Sequence, residues 1–287
     1  MDSIPGVVDV HRFGTGAPDL VIEIPHGATT TTDFTSLQAQ LTSPLPAGLI
    51  DFFHVNTDAG APELGLAIAA ALGKTVIVLR CRIPRTFIDC NRRIDASLAD
   101  FKEAKVTPGL MPWITTDADR AVLRRAYDRY VEAVQATIGQ LAPDGAILML
   151  HTYAPRSVDI EVGPDIGPQL RRAYQPEIEP TWPLRPEIDV ISRSLDGTSH
   201  APPAVLEGLR SELATIGIPV AESATYPMHP STLAWDHVVA HPGRAICVEV
   251  RRDLLADPFT PFAQIQIGAA KVERLVGPFA NALRRWW

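Results

Sequence analysis

The chain contains few cysteines and few lysines, and both shortages disfavour kinds of chemistry. Three cysteines occur in 287 residues, too scattered for a disulfide framework or a cysteine-rich zinc site. Each lies in or beside an apolar segment, so we expect small buried hydrophobic side chains. Only 4 of the 26 basic residues are lysine, which disfavours a lysine nucleophile or a Schiff base. The cysteines are Cys81, Cys90 and Cys247, and the lysines are Lys74, Lys102, Lys105 and Lys271.

Long apolar runs and basic stretches are also missing. No apolar segment approaches the length that crosses a membrane, and the first residues lack the charged and apolar parts of a signal peptide. The 26 basic and 33 acidic residues are dispersed and give a net charge of −7, which disfavours a nucleic-acid-binding protein. We therefore expect a cytoplasmic protein that binds neither nucleic acid nor membrane. The sequence leaves the oligomeric state open and is compatible with a homo-oligomer.

Two common catalytic signatures do not occur. The segment Gly14-Thr15-Gly16 is too short for a glycine-rich phosphate loop and precedes a strand instead of following one. No serine lies in the strand–turn–helix pattern of a nucleophile elbow. The sequence therefore contains neither of these two catalytic motifs.

Apolar segments of two kinds alternate along the chain. Near-continuous aliphatic runs predict strands at residues 75–81 and 245–250, whereas apolar residues at helical spacing predict helices after Pro62 and after Thr116. The alternation predicts one α/β domain over residues 1–287, with three layers and a mixed, mostly parallel sheet flanked by helices. We also expect strands at residues 19–25, 146–151, 187–192 and 218–221. Two further helices are expected, one at about residues 206–216 and one after Thr260-Pro261. Loops are expected at residues 29–32, at residues 154–186 and around His229 and His237.

Two predicted strands end in histidine. Residues 21–24 run directly into Pro25-His26-Gly27, and residues 146–150 run into His151. In open α/β sheets, ligands and catalytic groups collect at the carboxyl ends of strands. Zinc binds neutral imidazoles and requires at least one further ligand, so His26 and His151 are candidate zinc ligands.

A carboxylate that precedes a predicted helix is the candidate for the third ligand. Asp58 lies just before this helix, where it serves either as a helix cap or as the ligand that completes a His/His/carboxylate site. His54 and Glu63 are nearby alternatives. We take Asp58 as the candidate ligand and leave the two alternatives open.

An arginine-rich segment follows the predicted strand at residues 75–81. Arg85, Asn91 and Arg92 lie within eight residues of one another. Arginine offers a rigid pair of donors to a carboxylate, and asparagine adds another donor, so this segment suits an anionic group of a substrate. Surface arginines that pair with nearby acids are the alternative interpretation.

A glutamate lies inside the last apolar strand. Glu249 is costly to bury unless it is paired or used, so it is a candidate general base and acid. The alternative is a buried salt bridge to a neighbouring arginine. Arg251, two residues later, is a further candidate for substrate binding.

Five short motifs, in this order, resemble those of N-formylglutamate amidohydrolases. The resemblance extends from about residue 19 to residue 283. The motifs are Pro25-His26-Gly27, Asp58-Ala59-Gly60-Ala61, the run from Arg85 to Arg92 that ends in Ile88-Asp89-Cys90-Asn91-Arg92, His151-Thr152-Tyr153-Ala154-Pro155, and Glu249-Val250-Arg251-Arg252-Asp253-Leu254.

The resemblance implies a fold similar to that of zinc carboxypeptidases and a single zinc ion bound by His26 and His151. It also implies that Glu249 transfers protons, that Arg85 faces the scissile carbonyl, and that Asn91-Arg92 holds the substrate α-carboxylate.

Two departures from the expected patterns are visible. Thr29 stands where a His-x-x-Glu ligand pair would place glutamate, which leaves Asp58 as the candidate carboxylate ligand. A Gly-Gly-Tyr stretch associated with histidine-degrading members is absent, and Ala224-Thr225-Tyr226 lies in the comparable region. We therefore expect a zinc-dependent amidohydrolase that acts on an N-acyl amino acid, such as N-formylglutamate. The alternatives are a peptidase or amidase for a longer substrate and a non-catalytic anion-binding protein.

Overall fold

A seven-stranded sheet forms the centre of the computed structural model, which describes residues 2–287. The strands lie in the order β1-β3-β2-β4-β7-β5-β6. The four strands β3, β2, β4 and β7 are parallel, whereas β1 and β5 run antiparallel to β3 and β7. The strands are β1 (Val8–Phe13), β2 (Leu20–Ile24), β3 (Val76–Cys81), β4 (Ala146–Tyr153), β5 (Ile188–Val190), β6 (Val220–Glu222) and β7 (Ala245–Arg251).

Helices cover both faces of this sheet. One apolar core joins α3, α7 and α9 to the even-numbered residues of β2, β3, β4 and β7, such as Ile22 and Leu148. The odd-numbered residues of the same strands face α1, α2, α5 and α8 on the other side. The helices are α1 (Thr31–Gln38), α2 (Leu49–Asn56), α3 (Ala61–Leu72), α4 (Leu98–Glu103), α5 (Asp117–Ile138), α6 (Ile166–Ala173), α7 (Pro203–Ala214), α8 (Leu233–Ala240) and α9 (Ala269–Leu283).

This arrangement confirms the predicted three-layer α/β fold with a mixed, mostly parallel sheet. The long aliphatic strands are parallel and covered on both faces, which explains why their sequences are apolar without interruption. None of the helices among residues 2–287 combines the length and the apolar character that a membrane span requires.

Several predicted boundaries were wrong for local reasons. The last helix begins at Ala269 and not after Pro261, because Phe262 has a left-handed φ of 61°, which a helix does not accommodate. The threonines at residues 29–32 are not a loop throughout, because Thr30 forms a capping box with Asp33 and starts α1. His237 lies in α8, and the predicted loop at residues 154–186 contains α6 and a short 3-10 turn.

The segment that contains α6 packs closely against the start of α2. A Cβ atom on Gly167 would collide with the backbone oxygen of Ala47. Asp51 of α2 also pairs with Arg171 of α6 at 2.7 Å. These contacts fix α6 beside α2, on the side of the molecule where β2 and β4 end.

Candidate active site

The parallel strands bring the predicted catalytic residues to one edge of the sheet. His26 follows β2, whereas His151 and Glu249 are directly opposite each other in the register of β4 and β7. Because side chains alternate along a strand, both odd-numbered residues point to the same face as Met149 and Cys247.

A turn after β2 positions His26. Pro25 and Gly27 end the strand there, and the Gly27 carbonyl accepts a hydrogen bond from Nε of Arg80 at 2.8 Å. A Cβ atom on Gly27 would lie 2.6 Å from Cγ of Arg80, so this close approach requires glycine.

Three buried ligand atoms converge beside the sheet. Oδ2 of Asp58 lies 3.2 Å from Nδ1 of His26 and 2.9 Å from Nδ1 of His151, and the two nitrogens are 3.2 Å apart. Three ligands of a tetrahedral zinc ion, each roughly 2.0–2.1 Å from the metal, would be separated by about 3.3 Å. This cluster, which we call the His-Asp-His cluster, could hold one metal ion.

Asp58 reaches the cluster from the connection between α2 and α3. The preceding residue, Thr57, anchors this connection because its hydroxyl donates to the Ala28 carbonyl at 2.8 Å. Burial alone would raise the pKa of Asp58, but the two imidazoles outweigh it and lower that pKa. Of the two alternative ligands, His54 packs within α2 against Phe53, and Glu63 is exposed on α3.

Asp89 holds the imidazole of His26 from the opposite side. Its Oδ1 lies 2.7 Å from Nε2 of His26, and Asp89 is fully buried. Burial would raise the pKa of Asp89, but Arg92, His26 and Arg85 keep it well below its usual range. When Nε2 of a neutral imidazole donates to Asp89, Nδ1 is left bare and faces the Asp58 carboxylate. Such an arrangement suits a cation between them.

Glu249 is without an ion-pair partner among residues 2–287. Its Oε2 is buried and makes no hydrogen bond within this part of the chain, so the predicted alternative of a salt bridge is not realised. Burial and the negative charge of Asp58 raise the pKa of Glu249 to about 7, against the opposing charges of His151 and two arginines. A carboxyl group with such a pKa can accept and release a proton near neutral pH.

The arginine-rich segment lies beside the His-Asp-His cluster. Arg85 Nη2 donates to Asp89 at 2.9 Å, and its Nη1 lies 3.7 Å from Asp58. Arg92 is buried and lies 3.5 Å from Asp89, while its Nε donates to the Thr107 carbonyl.

Asn91 connects the arginine-rich segment to α8 and to the cluster. Its backbone and side-chain oxygens accept the N–H groups of Leu233 and Ala234. This fixes its amide group, whose Nδ2 lies 3.4 Å from Nε2 of His151.

Of the two adjacent arginines at the end of β7, the structure places the second one in the cavity. Arg251, the predicted residue, donates to Asp253 at 2.8 Å and lies 3.7 Å from Glu187, so its guanidinium is occupied outside the cavity. Arg252 begins a 3-10 turn and lines the cavity instead. Arg251 is the last residue of the strand, whereas Arg252 belongs to the turn that follows it.

His26, His151 and Glu249 line a cavity of about 1030 Å³. Residues within the segments 98–108 and 154–185 line it as well. Seven lysines and arginines line it against three acidic residues, although the whole chain is acidic, so the cavity favours anionic ligands. The basic residues are Arg85, Arg92, Lys102, Lys105, Arg156, Arg185 and Arg252.

Sequence reasoning missed three residues that the structure brings to this site. Asp89 lies within the arginine-rich segment, where a carboxylate among guanidiniums is a signal for an ion-pair network. Tyr226 lines the cavity with the Arg185 guanidinium 5.6 Å from its ring centre. Arg252 carried no local signal that distinguished it from Arg251.

Comparison with known proteins shows the fold and the family of the chain. The chain is similar in structure to N-formylglutamate amidohydrolase from Ralstonia eutropha JMP134, with a TM-score of 0.60, 16% identity and coverage of 98% of this chain and 97% of that one. A gene product of Agrobacterium tumefaciens is similar with a TM-score of 0.58, 15% identity and coverage of 97% and 94%. No curated protein matches significantly. The family model of N-formylglutamate amidohydrolase matches residues 18–256, most of the chain. The chain therefore belongs to the N-formylglutamate amidohydrolase family of enzymes.

Proposed function

We propose that this enzyme hydrolyses the amide bond of an N-acyl amino acid with the help of zinc, and that N-formylglutamate is the leading candidate substrate. The observation that carries the proposal is the His-Asp-His cluster beside an unpaired glutamate in one cationic cavity. The family to which the chain belongs supports the same reaction.

The donor set suits zinc better than it suits other common metals of hydrolases. Two imidazole nitrogens and one carboxylate oxygen form a His/His/carboxylate set, whereas magnesium and calcium prefer oxygen ligands. His26, Asp58 and His151 would hold the ion, and Asp89 would orient the His26 imidazole. Zinc held by these residues would supply a Lewis acid that polarises a carbonyl group and lowers the pKa of a water molecule to roughly 7.

Glu249 is proposed to move the protons of the reaction. It accepts a proton from the attacking water and returns it to the amine that leaves when the C–N bond breaks. Its unpaired Oε2 and its pKa of about 7 suit both steps.

The arginine-rich segment is proposed to bind and polarise the substrate. Arg85 lies beside Asp58 and so places positive charge next to the cluster, where the carbonyl oxygen develops negative charge. Asn91 and Arg92 bind the α-carboxylate with charge-assisted hydrogen bonds. Arg92 is already held by the Thr107 and Asn91 carbonyls, which orients its guanidinium before substrate arrives.

The size of the cavity favours a second candidate, an amidase that acts on a longer N-acyl compound. A volume of about 1030 Å³ lies at the upper end of the range for small-molecule sites. N-formylglutamate would fill only part of it. A substrate panel of increasing acyl length separates the two candidates.

Two measurements on one set of proteins test the proposal. Zinc content of the purified protein should be stoichiometric and should be lost in His26→Ala. Glu249→Gln preserves size and removes the base, so kcat should fall by about 10²–10⁴-fold while zinc stays bound. Retained zinc in both His26→Ala and His151→Ala, or near-normal turnover of Glu249→Gln, would contradict the assignment.

A further inference from the structure

One side of the cavity is apolar. Six side chains that line this side belong to, or pack against, the apolar core that contains the residues of α2 and α6. Four of the six are half-buried, so they retain apolar surface that the core does not cover. We call this surface the apolar wall, and its residues are Val55, Val158, Ile160, Val162, Tyr174 and Trp182.

The sequence pattern of residues 158–162 accounts for half of this wall. Valine, isoleucine and valine alternate there with Asp159 and Glu161, and the three aliphatic side chains are half-buried whereas the two acidic ones are exposed. None of these five residues belongs to a helix or strand of the described chain, so pairing in a sheet does not explain the alternation. The pattern instead places a row of aliphatic side chains against the core at the edge of the cavity.

Trp182 adds an aromatic ring to the wall. Its Nε1 donates to the Ala173 carbonyl at 3.2 Å, so the polar atom of the indole is already satisfied within the protein. The Trp182 carbonyl accepts a hydrogen bond from Arg156 at 2.7 Å, and the Ser157 N–H donates to the Pro183 carbonyl at 2.9 Å. These contacts hold the ring beside the segment that leads into Val158.

The apolar wall and the proposed α-carboxylate site contact different parts of the protein. Val55 lies at the end of α2, and the carbonyl of the next residue, Asn56, lies 3.5 Å from Nη1 of Arg85, which also lies 3.7 Å from Asp58. Asn91 instead accepts the N–H of Ala234 in α8, whose side chain packs in a separate apolar cluster. When the amino-acid half of a substrate lies against Asn91, the α2 side with the apolar wall is left for the acyl half.

We propose that the apolar wall binds an aliphatic acyl chain of the substrate, so that the enzyme hydrolyses amino acids acylated with a medium-length fatty acid. This inference rests on the proposed amide hydrolysis and gives the second candidate substrate its chemical class. A formyl group carries no chain that would cover the wall. A chain of about six carbons would remove both its own apolar surface and that of the half-buried side chains from water.

A series of acyl groups on one amino acid tests the proposal. N-acetylglutamate and N-hexanoylglutamate differ by four CH₂ groups, and each group that is fully buried is worth roughly threefold to fourfold in affinity. We expect kcat/KM of the wild type to rise by at least about tenfold from the acetyl to the hexanoyl compound. N-(6-hydroxyhexanoyl)glutamate has the same chain with a polar end and should lose most of this gain.

Ile160→Ser tests the wall itself, and Ile178→Ser is the matched control. Ile160→Ser should lower the hexanoyl-to-acetyl ratio of kcat/KM by at least about threefold and change the value for the acetyl compound little. Ile178 lies in the same part of the chain but is exposed and does not line the cavity, so the same substitution there should keep the ratio. Val162→Ser serves as a second variant if Ile160→Ser does not fold. A wild type without a gain from acetyl to hexanoyl, or a folded wall variant with the full ratio, overturns the proposal.

A binding measurement distinguishes this inference from the proposed function. Calorimetry with the acetyl and hexanoyl compounds uses Glu249→Gln, in which turnover is suppressed, with and without Ile160→Ser. The hexanoyl compound should bind at least about tenfold more tightly, and this preference should shrink when Ile160 is replaced. If that result appears while the wild type hydrolyses none of the amides, the acyl-binding wall stands and the proposed function fails. If the amides are hydrolysed but neither kcat/KM nor affinity depends on chain length, the inference fails and the proposed function stands.

Discussion

Substitution of Asp89 by asparagine tests how the protein tunes its candidate metal ligands. The Asp89 carboxylate accepts hydrogen bonds from His26 Nε2 at 2.7 Å and from the Asn91 backbone at 2.9 Å through Oδ1. Its Oδ2 accepts from Arg85 at 2.9 Å. An amide has one oxygen and one NH₂ group, so it can serve either His26 or the arginine, but not both.

The expected loss of zinc affinity follows from this mismatch between the amide and the groups that it must serve. Loss of a carboxylate that orients a metal-binding histidine typically weakens metal affinity by about 10- to 100-fold, or about 1.4–2.7 kcal/mol. We expect Asp89→Asn to weaken zinc binding within that range. Its stability should also fall, because the substitution leaves buried guanidiniums less well paired.

Competition with a chromophoric chelator measures the zinc affinity, and circular dichroism establishes that each protein is folded. Asp33→Asn is the matched control, since Asp33 is a buried acid that pairs with Arg82 and is not hydrogen-bonded to His26, Asp58 or His151. Folded Asp89→Asn with wild-type zinc affinity would refute the reasoning. An equal loss of affinity in Asp33→Asn would show that the effect comes from general destabilisation.

Three further predictions use other parts of the structure. Gly167→Ala should lower the free energy of unfolding by about 1–3 kcal/mol through overpacking, whereas Gly163→Ala, with open space at its Cβ, should change it little in the same chemical denaturation. His237 lies 2.9 Å from buried Glu23; burial opposes its charge, but this ion pair raises the pKa of His237. The stabilisation that this ion pair gives the folded protein is therefore fully present below about pH 6.5 and is lost as the pH rises through the raised pKa of His237. The difference in Tm between wild type and His237→Gln should accordingly be larger at pH 5.5 than at pH 9. An equal difference at the two pH values would contradict the assignment. Arg92→Lys should reduce kcat/KM for an N-acyl amino acid by more than about tenfold, because a point charge cannot replace a planar pair of donors. The value of kcat/KM for the corresponding α-amide should fall less. Equal losses for both substrates would argue against an α-carboxylate site at Arg92.

The sequence by itself determined the layered fold and the edge of the sheet at which the candidate site lies. Uninterrupted aliphatic runs identify parallel strands that are covered on both faces. His26 and His151 directly follow or end such runs, and parallel strands end at the same edge. The proximity of these two histidines therefore follows from local pattern and topology, although 125 residues separate them.

Tertiary structure decided which other side chains join them. Asp58 lies in a connection between helices, where its sequence is equally consistent with a helix cap, and only the packing of that connection brings it within 3.2 Å of both imidazoles. Asp89 is distinguished from other acids by its contact with His26, which no spacing predicts. Arg251 and Arg252 are chemically identical neighbours in the sequence. Arg251 ends β7 and pairs with acids outside the cavity, whereas Arg252 begins the 3-10 turn and lines the cavity. Side-chain direction at the end of a strand depends on backbone geometry, and non-local packing determines that geometry.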